Sequence, residues 1–323
     1  TAPREPKLTE CNLSLLDKWI LSRLNSLVKS VDDDLNDYKI TESARDISDF
    51  VDELSNWYVR RSRERFWGKE MSDDKEAAYT TLYHVLVTLS RVVAPFVPFV
   101  AEQIYRNLVC TFYADAPESV HLTSFPVADE AAEDKALEAD MDYVLKAVAL
   151  GRACRNKANI KNRQPLSKMF VAGKAAPSDE SMLAYIADEI NVDEVIPGGD
   201  AKQYISYEIK PQLKTLGPRY GKHLGAIRGY LSSLGDEAAK VVETVKSGKD
   251  WTFETGGAQV ALSEEALLIG VIDTPGFSAE TEGGLPVILH TPLTPQLIDE
   301  VRSRAGIPRL QLMRSAGGFG GVC

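Results

Sequence analysis

Residues 14–31 read SLLDKWILSRLNSLVKSV, and this stretch decides the fold of the first part of the chain. Its apolar residues recur at three- and four-residue spacing, which places side chains on one face of an α-helix. They are Leu16, Ile20, Leu24, Leu27 and Val31. Ser14 followed by Asp17 is similar to a capping box, which begins a helix. The stretch therefore predicts a long helix that buries one face against other helices.

Residues 13 to about 110 continue this helical pattern. A second helix is predicted from about Thr41 to Trp67, with an apolar stripe made of Ala44, Ile47, Val51, Leu54 and Tyr58. A third helix starts near Asp73 and ends before Pro95, and Pro98 suits the first turn of a further helix that ends near Val109. Long helices with short connections predict an antiparallel bundle.

The second half of the chain has a different texture. A helix is predicted from about Ala136 to Asn159, with Leu137, Met141, Val144 and Val148 on one face. Beyond Pro165, short apolar runs at 168–171 and 260–262 alternate with turns and with helices at 181–190 and 236–246. The predicted fold class is α+β, an antiparallel helical bundle followed by a smaller mixed α/β domain. We expect the bundle over 1–128, a linker and basic helix over 129–164, the small domain over 165–305 and a disordered tail over 306–323.

Composition excludes several classes of protein. The 323 residues contain no run of about 18 apolar residues that would span a membrane. The first residues lack an apolar segment typical of a signal peptide and also lack a methionine, so we expect a cytoplasmic protein that is a fragment or a processed product. Cysteines at 11, 110, 154 and 323 are too far apart for a zinc knuckle or a disulfide framework, so no metal is expected.

Weak similarities to other sites are set aside. Residues 216–222, LGPRYGK, lack the pattern of a phosphate loop and are predicted to form a turn before a helix. Three adjacent carboxylates at 32–34 fit a solvated helix end better than a metal site. Each of the four histidines lacks a carboxylate or cysteine at a useful spacing and is expected to be structural.

The net charge of −10 hides two basic segments, of which the first is 56–67. On a helix, Asn56, Arg60, Arg63 and Trp67 share a stripe opposite the apolar one, whereas Arg61 and Arg65 fall where the apolar stripe would continue. Guanidinium groups beside indole rings suit RNA, because guanidinium groups bind phosphates and both groups stack on unpaired bases. A solvated helix end is the alternative interpretation. The predicted RNA-binding residues are Asn56, Trp57, Arg60, Arg61, Arg63, Arg65 and Trp67, with Trp57 or Trp67 stacking on a base.

The second basic segment is 151–164, GRACRNKANIKNRQ, with five positive charges and no negative one. Like charges at helical spacing repel one another, so the segment needs an anionic partner or a solvated end. A bare polar helix end remains the alternative. The predicted RNA-binding residues here are Arg152, Arg155, Lys157, Lys161 and Arg163.

These residues also carry a resemblance to a known family. Residues 16–24, LDKWILSRL, are similar to the start of the anticodon-binding bundle of class I synthetases for isoleucine, valine and leucine. Residues 54–67, LSNWYVRRSRERFW, resemble the isoleucyl-tRNA synthetase branch specifically. The resemblance runs from about 13 to 300, and its further motifs lie at 93–105, 119–122, 155–166 and 208–222.

The resemblance implies a fold, a partner and a missing part. It implies that the bundle packs against the anticodon stem-loop of an isoleucine tRNA, and that the small domain helps to grip the anticodon. The HIGH and KMSKS signatures of the family are absent from this sequence, as are its catalytic and editing domains. The catalytic site, ATP and magnesium are therefore expected in that missing part, with no cofactor in this chain. Gly306 and Pro308 interrupt the last helix of the family, which makes the terminus after 300 unusual.

Two alternatives remain open. A helical module that docks onto partner proteins would show exposed apolar patches rather than basic stripes, and its binding would depend little on salt. The equivalent part of a valyl- or leucyl-tRNA synthetase would differ only in the tRNA that it selects.

Overall fold

The structure is a computed structural model, and the residues that it describes form two compact units divided between Ala139 and Asp140. The described residues are 6–171, 177, 179–198, 205–255, 257–282, 284–295 and 297. A helical N-terminal unit and a C-terminal unit with small sheets confirm the α+β class. The predicted tail over 306–323 and the interrupted helix after 300 lie outside the described residues.

Helix α1 covers Leu15–Asn36 and is the predicted first helix. Ser14 and Asp17 form a capping box, in which each side chain accepts a hydrogen bond from the other residue's backbone N–H. The predicted apolar face is confirmed, because every member of it is at most 7% exposed. Those residues are Leu16, Ile20, Leu24, Leu27 and Val31.

The predicted second helix is correct in extent, but only part of its predicted apolar stripe is buried. It consists of α2 at Ile40–Glu53, a wider π-helical turn at Leu54–Val59 and, after a turn at Ser62, α3 at Arg63–Trp67. Ala44 and Val51 are exposed, whereas Ser43 and Phe50 are buried. Leu54 and Tyr58 are buried as predicted, so the predicted stripe is wrong at Ala44 and Val51 and confirmed at its end.

The rest of the N-terminal unit follows the prediction. Helix α4 covers Asp73–Val93, and α5 covers Pro98–Tyr105 with Pro98 in its first turn. A π-helical turn at Arg106–Cys110 continues α5 to the predicted end. A buried Glu138 carboxylate accepts hydrogen bonds from the Ser22 and Ser26 hydroxyls of α1, at 2.5 and 2.7 Å. These bonds fix the start of α6, Lys135–Lys157, in this unit.

The C-terminal unit begins within α6, whose predicted apolar face is also buried. A four-stranded sheet contains β1 Leu166–Val171, β2 Val192–Pro197, β7 Phe277–Glu282 and β8 Leu285–His290. The order of these strands across the sheet is β2-β1-β8-β7. Strand β1 is parallel to β2 and antiparallel to β8, and α7 at Ser181–Ile190 connects β1 to β2. A helical crossover between two parallel strands is a βαβ unit, and it agrees with the mixed α/β domain that the sequence predicts.

A second core lies in the middle of the C-terminal unit. Strand β3 at Ile205–Pro211 pairs with β6 at Leu267–Asp273, and β4 at Trp251–Thr255 forms a hairpin with β5 at Ala258–Leu262. Helices α8, α9 and α10 cover Leu213–Tyr220, Leu224–Ser233 and Ala238–Lys246. Their buried side chains include Leu216, Ile227, Leu231, Val241 and Val245, which pack with Val260 and Leu262.

Residues 216–222 differ from the prediction of a turn. Leu216–Tyr220 belong to α8, and only the short turn at Gly221–His223 precedes α9. Across the described residues, no helix combines the length and the apolar character needed to cross a membrane.

Candidate nucleic-acid interface

The first basic segment exposes one stripe of side chains, which we call the Arg60–Trp67 stripe and define as Asn56, Arg60, Arg63 and Trp67. All four are exposed, even though the π-helical turn and the turn at Ser62 interrupt a regular helix. The Arg63 guanidinium lies 5.1 Å from the centre of the Trp67 ring, and the ring is 75% exposed. The Arg60 Nε donates to the Asn56 carbonyl at 2.8 Å. The stripe thus presents two guanidinium groups and an accessible indole, a combination that binds phosphates and stacks on bases.

A buried ion pair holds this stripe in place. The Asp17 carboxylate, which is completely buried, accepts two hydrogen bonds from the Arg65 guanidinium, at 3.0 and 2.8 Å. It also accepts hydrogen bonds from the Tyr58 hydroxyl at 2.7 Å and the Ser14 hydroxyl at 2.7 Å. The Arg65 Nε donates to Asp74 at 3.0 Å, at the start of α4. Tyr58 and Arg65, which lie between residues of the stripe in sequence, therefore tie this segment to α1 and α4.

This network has a definite electrostatic signature. Burial by itself would raise the pKa of Asp17, but hydrogen bonds from Arg65, Ser14 and Tyr58 outweigh burial and hold that pKa below its usual value. Burial and the nearby Asp17 charge raise the pKa of the Tyr58 hydroxyl, so it remains a proton donor. Burial also opposes ionisation of Glu138, yet hydrogen bonds from Ser22 and Ser26 lower its pKa.

These lowered pKa values predict how the stability of the N-terminal unit depends on pH. A carboxylate whose pKa is lower in the folded state stabilises the fold above its unfolded pKa, and this stability is lost as pH falls through the folded value. Because Asp17 and Glu138 have unfolded values near 3.8 and 4.5, we expect the urea midpoint to be constant from neutral pH to about pH 5 and to fall below it. The measurement is tryptophan fluorescence in a Trp251→Phe background, which leaves Trp19, Trp57 and Trp67 as reporters. A midpoint that is unchanged at pH 3 would contradict this prediction.

Two predicted residues of the first segment must be corrected. Trp57 is only 8% exposed, because it packs into the core from the π-helical turn at Leu54–Val59, so its ring is not available to stack on RNA. The Arg65 side chain is 16% exposed and is held by carboxylates, so its role is to position its neighbours. Arg61 is half-buried, and its contact with RNA stays a prediction.

Arg155 in the second segment is also a structural residue rather than a surface one. It is 1% exposed, and its guanidinium donates to the carbonyls of Lys161 and Asn191, both at 3.0 Å. Burial lowers the pKa of Arg155 to about 10. Helix α6 ends beside it, where Asn159 adopts a left-handed φ of 54°. The prediction that Arg155 faces RNA is therefore wrong, since its side chain instead fixes the turn after α6.

The other cations of the second segment divide into paired and exposed residues. Arg152 donates to Glu189 at 2.6 Å, and Lys157 donates to the Ala279 carbonyl at 3.0 Å with Glu280 at 3.5 Å. Lys161 and Arg163 are exposed, and neither forms an ion pair within the described ranges. Only these last two residues retain the open positive charge that the sequence predicts for the whole segment.

Other potential sites are structural. His84 hydrogen-bonds the Pro6 carbonyl at 2.8 Å, and His290 hydrogen-bonds the Ser167 hydroxyl at 2.8 Å. Among the residues for which the structure gives positions, no group of three or more His, Cys, Asp or Glu side chains is arranged to hold a metal ion. Sequence reasoning missed the Asp17–Arg65 pair, whose only signal was a carboxylate beside the apolar face of α1.

Comparison with known proteins identifies the domain that contains the Arg60–Trp67 stripe. Residues 17–170 match the family described as the anticodon-binding domain of tRNA ligase. The chain is 46% identical over 308 residues to an isoleucine–tRNA ligase of Clostridium novyi and covers 29% of that protein. It is 45% identical over 306 residues to an isoleucine–tRNA ligase of Clostridium acetobutylicum. It is 41% identical over 312 residues to the isoleucine–tRNA ligase 2 of Bacillus cereus.

Each alignment uses at least 95% of this chain but only 29% of the relative. The chain therefore spans less than a third of the length of the curated relatives that it matches. Residues 17–170 therefore match the anticodon-binding domain of tRNA ligases, and nearly the whole chain is similar to the C-terminal part of isoleucine–tRNA ligases.

Proposed function

We propose that this chain binds the anticodon stem-loop of an isoleucine-accepting tRNA, as the tRNA-gripping part of an isoleucine–tRNA ligase. The observation that carries the proposal is the exposed Arg60–Trp67 stripe within the matched anticodon-binding domain. Arg60 and Arg63 bind phosphates, and Trp67 stacks on an unpaired base. Lys161 and Arg163 form a second contact with the RNA backbone.

In this proposal, the chemistry takes place in other parts of a larger enzyme. The complete enzyme attaches isoleucine to its tRNA using ATP and magnesium, and its catalytic and editing domains lie outside this chain. Binding of the anticodon arm positions the acceptor end of the tRNA in those domains. The fragment itself contributes affinity and selection rather than a reacting group.

A second function has one observation in its favour. Three apolar side chains at the start of α5 are unusually exposed, with Val97 at 46%, Phe99 at 89% and Val100 at 58%. Neighbouring exposed apolar residues are typical of a surface that contacts protein. Docking onto protein partners, including the other domains of the ligase, is therefore the alternative role for this end of the helical unit.

The two roles predict different binding to RNA, which a titration measures directly. The whole chain is titrated with an isoleucine tRNA transcript and with the same transcript carrying a changed anticodon, at 50 and 200 mM salt. We expect affinity for the first transcript to fall by at least about tenfold at the higher salt, because binding releases counterions from several phosphates. We also expect the changed anticodon to weaken binding.

Each result of the titration has one meaning. Salt-sensitive binding that ignores the anticodon would restrict the chain to gripping the backbone and would overturn anticodon recognition. Tighter binding to a valine or leucine anticodon would reassign the tRNA. Absence of binding would overturn the proposal and favour the protein-docking role.

A further inference from the structure

A cavity of about 550 Å³ opens on the C-terminal unit, where β3 ends and helices α8 and α9 begin. Its volume lies in the range of sites that hold small organic groups. The lining includes Gln212, Leu213, Leu224, Gly225, Arg228 and Leu268. None of these residues belongs to either basic segment.

The cavity has apolar walls that remain open to solvent. Leu213 is 65% exposed and Leu268 is 52% exposed, although both border a well-packed core. A single exposed leucine is common on protein surfaces. Two exposed leucines that flank one cavity provide an apolar surface against which the ring of a ligand can pack. Gly225 leaves the floor open, because nothing lies within 4 Å of the position where a Cβ would stand.

The polar groups at the cavity are available to a ligand. Arg228 is exposed, and within the described part of the chain its guanidinium makes no hydrogen bond or ion pair. The side-chain amide of Gln212 likewise has no hydrogen bond among those residues, while its backbone N–H donates to Ala266 at 2.8 Å. Lys210 also lines the cavity and pairs with Glu208 at 2.7 Å. Two cations, of which Lys210 is already paired, one amide and apolar walls therefore line a single opening.

We propose that this cavity binds one unstacked nucleotide of a single-stranded RNA segment. The leucines contact the faces of the base, the Gln212 amide pairs with its edge, and Arg228 binds the adjoining phosphate. An amide side chain both donates and accepts hydrogen bonds, as the edges of bases require. This inference rests on the proposed binding of tRNA and adds a nucleotide site in the C-terminal unit.

Gly225→Leu tests the base-binding part of the site. A leucine here extends a side chain at the cavity lining, and nothing lies within 4 Å of its Cβ position. We expect affinity for an isoleucine tRNA transcript to fall about tenfold, because stacking of one base contributes on the order of that factor. The dependence on salt should not change, because no phosphate contact is removed. The matched control is Gly229→Leu, in the same helix and also in open space but outside the cavity lining.

Arg228→Gln tests the phosphate-binding part. Loss of one contact with a single-stranded phosphate lowers the salt slope by about 0.7 and weakens binding about fivefold at 0.1 M salt. Lys240→Gln removes the same charge from an exposed position on α10 and should leave the slope unchanged. Urea unfolding followed by far-ultraviolet circular dichroism checks that each variant keeps its fold.

The outcomes separate this inference from the proposed function. Wild-type affinity in both Gly225→Leu and Arg228→Gln, together with weaker binding in the Arg60→Ala/Arg63→Ala variant, would overturn the nucleotide site alone. Failure of the unmodified chain to bind the transcript would overturn both. Equal losses in the cavity variants and in their controls would show a general effect of substitution and would also overturn the site.

Discussion

Arg65→Met is expected to lower the free energy of unfolding of the N-terminal unit by about 3–5 kcal/mol. The substitution keeps an unbranched apolar stem but leaves the Asp17 carboxylate, which is completely buried, without its cation. An unpaired buried charge must lose solvation without compensation, and this loss dominates the cost. Asp74 adds little, because its side chain is 58% exposed and therefore well screened.

Urea unfolding measures this loss when the signal is confined to one unit. Trp19, Trp57 and Trp67 lie in the N-terminal unit, so a Trp251→Phe background makes fluorescence report on that unit. Arg63→Met is the matched control, since Arg63 is exposed and is two residues away in the same short helix. We expect the control to change stability by less than about 0.5 kcal/mol. Equal midpoints for the two variants would show that the Asp17–Arg65 pair does not hold the helix.

A double variant distinguishes the cost of an unpaired buried charge from the cost of lost packing. Asp17→Asn in combination with Arg65→Met removes both charges, so the double variant should be more stable than the sum of the single losses predicts. The coupling arises because neither partner leaves an uncompensated charge once both are neutral. Simple additivity would mean that the two side chains contribute independently.

The first helix and the fold class could be predicted because their signals are local. Five apolar residues at helical spacing and an adjacent cap specify α1, and no distant contact is needed to interpret them. The buried face of α2 could not be predicted from spacing, for a physical reason. Ala44 and Val51 form a stripe as regular as that of Ser43 and Phe50, so spacing alone does not choose between them. Packing around Phe50, which is 1% exposed, decides the register.

The roles of the arginines could not be predicted, because they depend on partners that are distant in sequence. The carboxylate that binds Arg65 is 48 residues away, and one carbonyl that binds Arg155 is 36 residues away. Charged residues are usually exposed, so sequence reasoning placed all of these cations on the surface. The exposed pair Arg60 and Arg63 survives as a predicted site, whereas Trp57, Arg65 and Arg155 do not.

The double variant Arg60→Ala/Arg63→Ala is expected to weaken tRNA binding by about 25- to 60-fold at 0.1 M salt. Each lost phosphate contact lowers the salt slope by about 0.7–0.9, so two contacts lower it by about 1.4–1.8. At 0.1 M salt, a salt slope lower by about 1.4–1.8 corresponds to an affinity that is lower by about 25- to 60-fold. Stability should be nearly unchanged, because both side chains are exposed.

A charge-matched control makes this result specific to the Arg60–Trp67 stripe. Lys29→Ala/Arg106→Ala removes two positive charges from exposed positions of the same unit, Lys29 in α1 and Arg106 in the turn after α5. Because screening limits an exposed charge to a range of about 10 Å, these remote charges should change the slope far less. Equal slopes in the two double variants would mean that the net charge of −10, rather than the stripe, governs binding. Arg60→Ala/Arg63→Ala could instead weaken binding equally for every anticodon and be the only double variant with a reduced salt slope. That result would place these two arginines on the RNA backbone. Anticodon selection would then depend on Trp67 and its neighbours.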